Sequence, residues 1–137
     1  MLVLDTNVLS EAMKPVPDAL FAQWMQQESA SLHYTTAISE AELLQGIGVL
    51  PDGRRKRDLD LAAKLILNLM SARILPFDRA AAAEFAEIIT SRRRLGRPIQ
   101  IIDAQIAAIA RAHGMAVATR DVQDFADIGV TIINPWA

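Results

Sequence analysis

Four carboxylates stand at positions that fold-building alone explains poorly: Asp5, Glu42, Asp103 and Asp121. Asp5 closes the apolar run Leu2-Val3-Leu4. A lone Asp after such a run is equally a helix N-cap, because its carboxylate accepts from the free amides of a first turn. Glu42 lies in Ser39-Glu40-Ala41-Glu42, the pattern of a capping box, in which it would reach back to the Ser39 amide. If the helix starts earlier, Glu42 falls on the arc of Ile38 and Val49, with Gly46 leaving room one turn on. An acid on an apolar arc is costly unless it is paired. Asp103 shares a helical face with Ile106, Ala107 and Ala110, with the N-cap of a helix beginning at Ala104 as its alternative. Asp121 follows the apolar stretch Ala116 to Thr119, where a turn Asp is commonplace. Asp124 competes for the same role, or caps the short turn before Phe125.

Taken singly, none of these acids decides anything. Two after strand ends and two near core-facing helix positions are what a shared acidic pocket requires. Carboxylates crowded together raise one another's pKa, so such a pocket at neutral pH implies a cation. The chain has no cysteine, and its two histidines, His33 and His113, cannot make a zinc site alone. Hard oxygen ligands select Mg²⁺ or Mn²⁺.

The elements that must position these acids alternate along the chain. Short apolar runs end at Asp5 and cover Leu32 to Thr35, Ile74 to Phe77, Ala116 to Thr119 and Val130 to Ile133, each too short for a helix and compatible with a strand. Helical spacing covers Asn7 to Met13, a segment capped by Asp18 with Leu20, Phe21, Trp24 and Met25 on one side, Thr36 to Leu50, Arg54 to Ala72, an alanine-rich segment capped by Asp78, and Ile101 to His113. Pro15 with Pro17, Pro51-Asp52-Gly53, Gly96 with Pro98, and Gly114 separate them. Arg120 to Gly129 has room for one helical turn. The alternation predicts an α/β domain with a central, mostly parallel β-sheet flanked by α-helices. Ligands of such a sheet bind at the carboxyl ends of its strands, where Asp5 and Thr119-Arg120-Asp121 would lie.

A chain of 137 residues fits one domain. Hydrophobic residues make up 52% of it and aromatics only 5%, which suggests closely packed helices. The apolar runs are interrupted well short of the ~20 residues of a membrane span. The start Met-Leu-Val-Leu-Asp lacks the basic region of a secretory signal, so the expected location is cytoplasmic, with no membrane association. A formal charge of −2 argues against indiscriminate nucleic-acid binding. Local clusters at Arg54, Arg55, Lys56 and Arg57, and at Arg92, Arg93, Arg94 and Arg97, are equally phosphate contacts or solvated helix ends. The helix from Arg54 carries more apolar surface than one small core absorbs, as does the Phe21, Trp24, Met25 face; both fit interfaces, or burial within the monomer.

The chain resembles PIN-domain proteins, specifically the VapC and FitB branch of bacterial toxin–antitoxin ribonucleases. The carriers are Leu4-Asp5-Thr6-Asn7, Ser39-Glu40-Ala41-Glu42-Leu43 with Gly46, Ile102-Asp103-Ala104 with Ile106-Ala107-Ala108, Ala118-Thr119-Arg120-Asp121 with Asp124-Phe125, and Asn134-Pro135-Trp136. Each is weak alone; their order and spacing over the whole chain are specific. The resemblance implies a single PIN domain over residues 1–137 and a Mg²⁺-dependent endoribonuclease, the toxin of a type II toxin–antitoxin module. It places the catalytic acids at Asp5, Glu42, Asp103 and Asp121. Asp5 and Asp103 would be the direct metal ligands, supported by Glu42 and Asp121. Many relatives have Asn where Asp121 stands, and Asp124 is its rival for the fourth place. Thr6, Asn7 and Thr119 would orient carboxylates or waters. Glu42 or Asp121 would position the attacking water or take its proton. Arg120, with Arg93 and Arg97, would contact RNA.

The implied partners are an RNA substrate, a second copy in a homodimer, and a cognate antitoxin whose tail covers the active site. Higher oligomers would form with the antitoxin, and operator DNA would be reached only through it. The alternative is a PIN-like protein that binds nucleic acid or antitoxin and regulates without appreciable cleavage. A haloacid-dehalogenase-like phosphatase would need a second Asp where Asn7 stands, and a receiver-like domain needs adjacent acids and a late lysine that are missing.

Overall fold

The computed structural model describes residues 1–137. Five strands, β1 (Leu2–Leu4), β2 (His33–Thr36), β3 (Ile74–Leu75), β4 (Ala116–Ala118) and β5 (Ile132–Ile133), form one sheet in the order β3-β2-β1-β4-β5. Every pairing is parallel. Six helices connect them: α1 (Thr6–Ala12), α2 (Ala19–Gln27), α3 (Ala37–Gly48), α4 (Arg54–Leu69), α5 (Arg79–Arg94) and α6 (Ile101–Ala112).

A parallel sheet must be covered on both faces, and the strand period of two divides β1 between them. Val3 turns toward a core made with Ile88 of α5 and Ile106, Ala107 and Ile109 of α6. Leu2 and Leu4 turn the other way, toward Val8, Phe21, Leu43 and Leu67 of α1 to α4. The chain steps from β1 to β2 to β3 over one face and returns over the other to place β4 beyond β1. Right-handed crossovers impose that change of face when the direction reverses. The β1/β4 boundary is therefore the switch point of the sheet, where a crevice opens at the carboxyl ends of the strands.

Helix starts decide where the acids sit. Asp18 Oδ1 accepts from the Leu20 and Phe21 amides at 2.9 and 3.2 Å, and Asp78 Oδ1 from the Ala81 amide at 3.0 Å. For α3 the cap is Thr36, whose hydroxyl accepts from the Ser39 amide at 3.0 Å. Ser39 is thus inside the helix, no Ser39–Glu42 capping box forms, and Glu42 is free to point elsewhere. Helix α6 begins at Ile101, so Asp103 lies in its first turn and caps nothing. Its charge there faces the positive end of the helix dipole.

Four of the strands are shorter than the apolar runs, and β2 keeps its length but lies one residue on, with Leu32 in a 3₁₀ turn over Ala30–Leu32. β3 stops before Pro76, which has no N–H for the ladder, and β5 omits Val130 and Thr131. Helix α4 stops at Leu69, three residues early, in a 3₁₀ turn over Ser71–Arg73. Residues 120–129 hold one 3₁₀ turn, Val122–Phe125. Leu20 does not join the face of Phe21; it is 53% exposed. That face is satisfied within the chain, since Phe21 packs on Trp136 with ring centroids 5.0 Å apart and Trp24 stacks on His33 at 5.4 Å. On α4, Ala63 and Leu67 go inward, while Leu61, Leu65 and Leu69 form an outward stripe, 67, 63 and 69% exposed.

Candidate active site

Asp5 follows β1 and continues its pairing by one bond, from its amide to the Ala118 carbonyl at 2.9 Å. Its side chain does two things at once. Oδ1 accepts from the Thr6 amide at 2.8 Å and so caps α1, while Oδ2 accepts from the Thr119 hydroxyl at 2.7 Å. Capping and membership of the acid cluster are therefore not alternatives. Asp5 is 4% exposed. Burial pushes its pKa from 3.8 up to about 6; the Thr119 and Thr6 donors hold it down, and Glu42 and Asp121 add to the rise.

Thr119, fully buried after β4, is the hub of the crevice. Its hydroxyl donates to Asp5 and accepts from the Asp121 amide at 3.0 Å and from Asn7 Nδ2 at 3.4 Å. Asn7 Nδ2 also donates to Asp121 Oδ2 at 3.1 Å, and Asn7 Oδ1 accepts from the Arg120 amide at 3.3 Å. The Asp-Thr-Asn turn after β1 is thereby locked to the Thr-Arg-Asp turn after β4. Thr6 reaches the other way, donating its hydroxyl to Glu42 Oε1 of α3 at 2.5 Å.

Asp103 arrives from the opposite face of the sheet. Because α6 turns at Gly114 directly into β4, the two run in opposite directions, and the first turn of α6 lies at the carboxyl end of the strands. Burial comes first in raising the Asp103 pKa from 3.8 to about 6, followed by the charges of Asp5, Asp124, Glu42 and Asp121. Asp121 is tied to Asn7, whereas Asp124, whose amide donates to the Asp121 carbonyl at 3.0 Å, weighs more on Asp103. Both lie at the solvent edge of the cluster.

The cluster is a set of hard oxygen donors, two of them, Asp5 and Asp103, raised in pKa first by burial and then by their acidic neighbours. No three of the Asp, Glu and His side chains are arranged to grip an ion directly. Oxygen donors of this kind are ligands for hard divalent cations.

A groove of about 810 Å³ leads away from the cluster between α1, α3 and α4. Thr6 and Glu42 line one end, Met13, Leu43 and Ile47 give it apolar walls, and Arg54 and Arg55 flank it. Gly46 lies in this groove, and nothing stands within 4 Å of where its Cβ would be.

The arginines of the second basic cluster do not share one environment. Arg92 is 5% exposed and cannot meet a phosphate. Its Nε donates to the Arg97 carbonyl at 2.7 Å, and its Nη1 to the Asp124 and Ala126 carbonyls at 2.9 and 3.0 Å. It joins the segment leading into α6 to the turn that carries Asp124. A run of arginines gives no sign of which one turns inward. Arg97 pairs with Asp127, and Arg93 and Arg94 remain exposed at the end of α5.

An all-parallel sheet with acids after β1 and β4 and on helices from both faces is the frame of a PIN domain, and the chain belongs to the PIN-domain family, whose profile matches residues 2–130. Within the family it sits with the VapC and FitB relatives. It is 39% identical to VapC ribonuclease Y4jK of Sinorhizobium fredii over 99% of this chain and 98% of that protein. It is also 39% identical to Toxin FitB of Neisseria gonorrhoeae over 99% of each. The fold agrees with a chain in the structure of FitAB bound to an IR36 DNA fragment, with a TM-score of 0.93 and 38% identity over 100% of this chain and 96% of that one.

Proposed function

We propose that this chain is the toxin of a type II toxin–antitoxin module, an endoribonuclease that needs Mg²⁺ or Mn²⁺ to hydrolyse phosphodiester bonds. The observation that carries the reading is the meeting of Asp5, at the carboxyl end of β1, and Asp103, in the first turn of α6, with both pKa values raised to about 6 by burial and by other acids. An arrangement that strains two carboxylates and offers them no neutralising side chain is costly for a fold and useful for a cation. Asp5 and Asp103 would hold the ion, with Glu42 and Asp121 supporting it and Asp124 a rival to Asp121. Such an ion supplies positive charge for the scissile phosphate and makes a nearby water more acidic. Glu42, oriented by Thr6, and Asp121, oriented by Asn7, are the groups available to position that water or accept its proton. Arg120, with Arg93 and Arg97, would meet RNA phosphates.

The relatives' names and the FitAB complex support a cognate antitoxin as partner. The groove that starts at Thr6 and Glu42 offers a place for its tail to cover the acids. The leucine stripe of α4 is consistent with association, including a homodimer and larger assemblies with antitoxin. No helix is long and apolar enough to cross a membrane. A cytoplasmic location follows from the toxin–antitoxin reading and is proposed with it. The alternative is a PIN-like protein that binds nucleic acid or antitoxin and regulates without appreciable cleavage.

Antitoxin-free protein incubated with a panel of structured RNAs in Mg²⁺ or EDTA, beside Asp5→Asn, separates the two. Cleavage in Mg²⁺ that both EDTA and the substitution abolish is expected. Cleavage surviving both would sink the metal mechanism, and no cleavage of any RNA would favour binding alone.

A further inference from the structure

The guanidinium carbon of Arg120 stands 5.2 Å from the centroid of the Trp136 ring, within cation–π range. Arg120 lies between Thr119 and Asp121, so its side chain starts at the rim of the acid cluster, and its amide is tied to Asn7 Oδ1 at 3.3 Å. Its charge is unspent, since it enters none of the chain's ion pairs. Glu11, whose carboxyl feels the Arg120 charge, is already held by Lys14 and by the Asp18 amide, each at 2.8 Å.

The ring beneath is fixed. Trp136 packs against buried Phe21 at 5.0 Å with a 40° tilt, and its amide donates to Asn134 Oδ1 at 3.0 Å. An exposed arginine alone samples many rotamers and loses that freedom when it binds. A guanidinium resting on an indole gives up only its flat face. Its N–H groups point outward around the edge, where they can meet phosphate oxygens.

We propose that Trp136 is a positioning residue that holds the guanidinium of Arg120, whose side chain starts at the rim of the acid cluster, with its N–H edge turned to a phosphate flanking the one that is cut. The identity of that strand as RNA rests on the nuclease reading. The contact itself is a binding event and can be measured without cleavage.

The test is fluorescence anisotropy of a short labelled single-stranded RNA over a salt series in EDTA, with Arg120→Ala, Trp136→Ala, Trp136→Phe and the double variant to alanine. Arg120→Ala should weaken binding and lower the slope of log affinity against log salt by about 0.7, the signature of one lost phosphate contact on a single strand. Trp136→Ala should weaken binding about 2- to 5-fold, the size of one exposed cation–π contact. Trp136→Phe should recover most of that loss, and the double variant should bind no worse than Arg120→Ala.

Additive losses in the double variant would overturn the proposal, because Trp136 would then act on RNA or on the fold by itself. An unchanged salt slope in Arg120→Ala would overturn it as well, as would wild-type protein that binds no RNA. Loss of antitoxin affinity with RNA binding intact would reassign the pair to the protein partner. Wild-type protein that shows the expected coupling yet cleaves nothing in Mg²⁺ would refute the nuclease reading and leave this one standing.

Discussion

Replacing Asp103 by Asn should make the metal-free protein more stable while removing its activity. A carboxyl raised from 3.8 to about 6 is destabilised, when ionised in the folded state, by about 3 kcal/mol at 1.36 kcal/mol per unit. Asp103 is partly exposed, so solvent screening trims this, and the favourable helix-dipole contact is lost with the charge; about 1–2 kcal/mol remains. For a chain of this size that is a rise in Tm of roughly 3–6 °C. The pH dependence gives the sign. Between about pH 4 and 6 the Asp103 carboxyl binds more proton in the folded protein than in the unfolded chain, so its contribution to stability falls as pH rises through that window. The advantage of Asp103→Asn should therefore be near zero at pH 4 and complete above pH 7. Thermal unfolding by circular dichroism in EDTA at pH 4, 5.5 and 7.5 measures it. Added Mg²⁺ should then raise the wild-type Tm more than that of the variant, by mass action on the folded state. A variant less stable than wild type at pH 7.5 in EDTA, or a pH-independent difference, would refute the reasoning.

Two further substitutions probe the supports of the cluster. Thr119→Val removes the donor to Asp5 Oδ2, so the Asp5 pKa should rise further above its ordinary value. The acid limb of the pH–rate profile should then move to higher pH, with cleavage slowed roughly 10-fold, as for other groups that orient a metal-site carboxylate. Arg92→Met strands the carbonyls of Arg97, Asp124 and Ala126, and urea unfolding should show a loss of about 3 kcal/mol. A loss below about 1 kcal/mol would mean that water replaces the guanidinium.

Element order and type were legible because apolar runs of strand length and stretches of helical period alternate without overlap. The capping roles of Asp18 and Asp78 were legible because a cap is local chemistry, complete within four residues. Boundaries were less so. The ends of β3 and α4 depend on where pairing partners run out, and no local signal carries that. The starts of α3 and α6 were legible from the helical period, near Thr36 and at Ile101, and Ser39 and Asp103, which resemble caps, lie inside those helices.

By itself, then, the sequence determined the α/β class, the absence of sulfur ligands, and the short set of acids worth suspecting, since these follow from composition, period and spacing. The roles within that set came only from the tertiary structure. Through it Asp5 both caps α1 and joins the cluster, Glu42 is turned toward Thr6, and Asp121 and Asp124 face different partners. It also set Arg92 apart from the neighbouring arginines and laid Trp136 beneath Arg120. The physical reason is range. A hydrogen bond or a Coulomb interaction acts over a few ångströms of space, and the groups it joins here, such as Asp5 and Thr119, are separated by more than a hundred residues of chain.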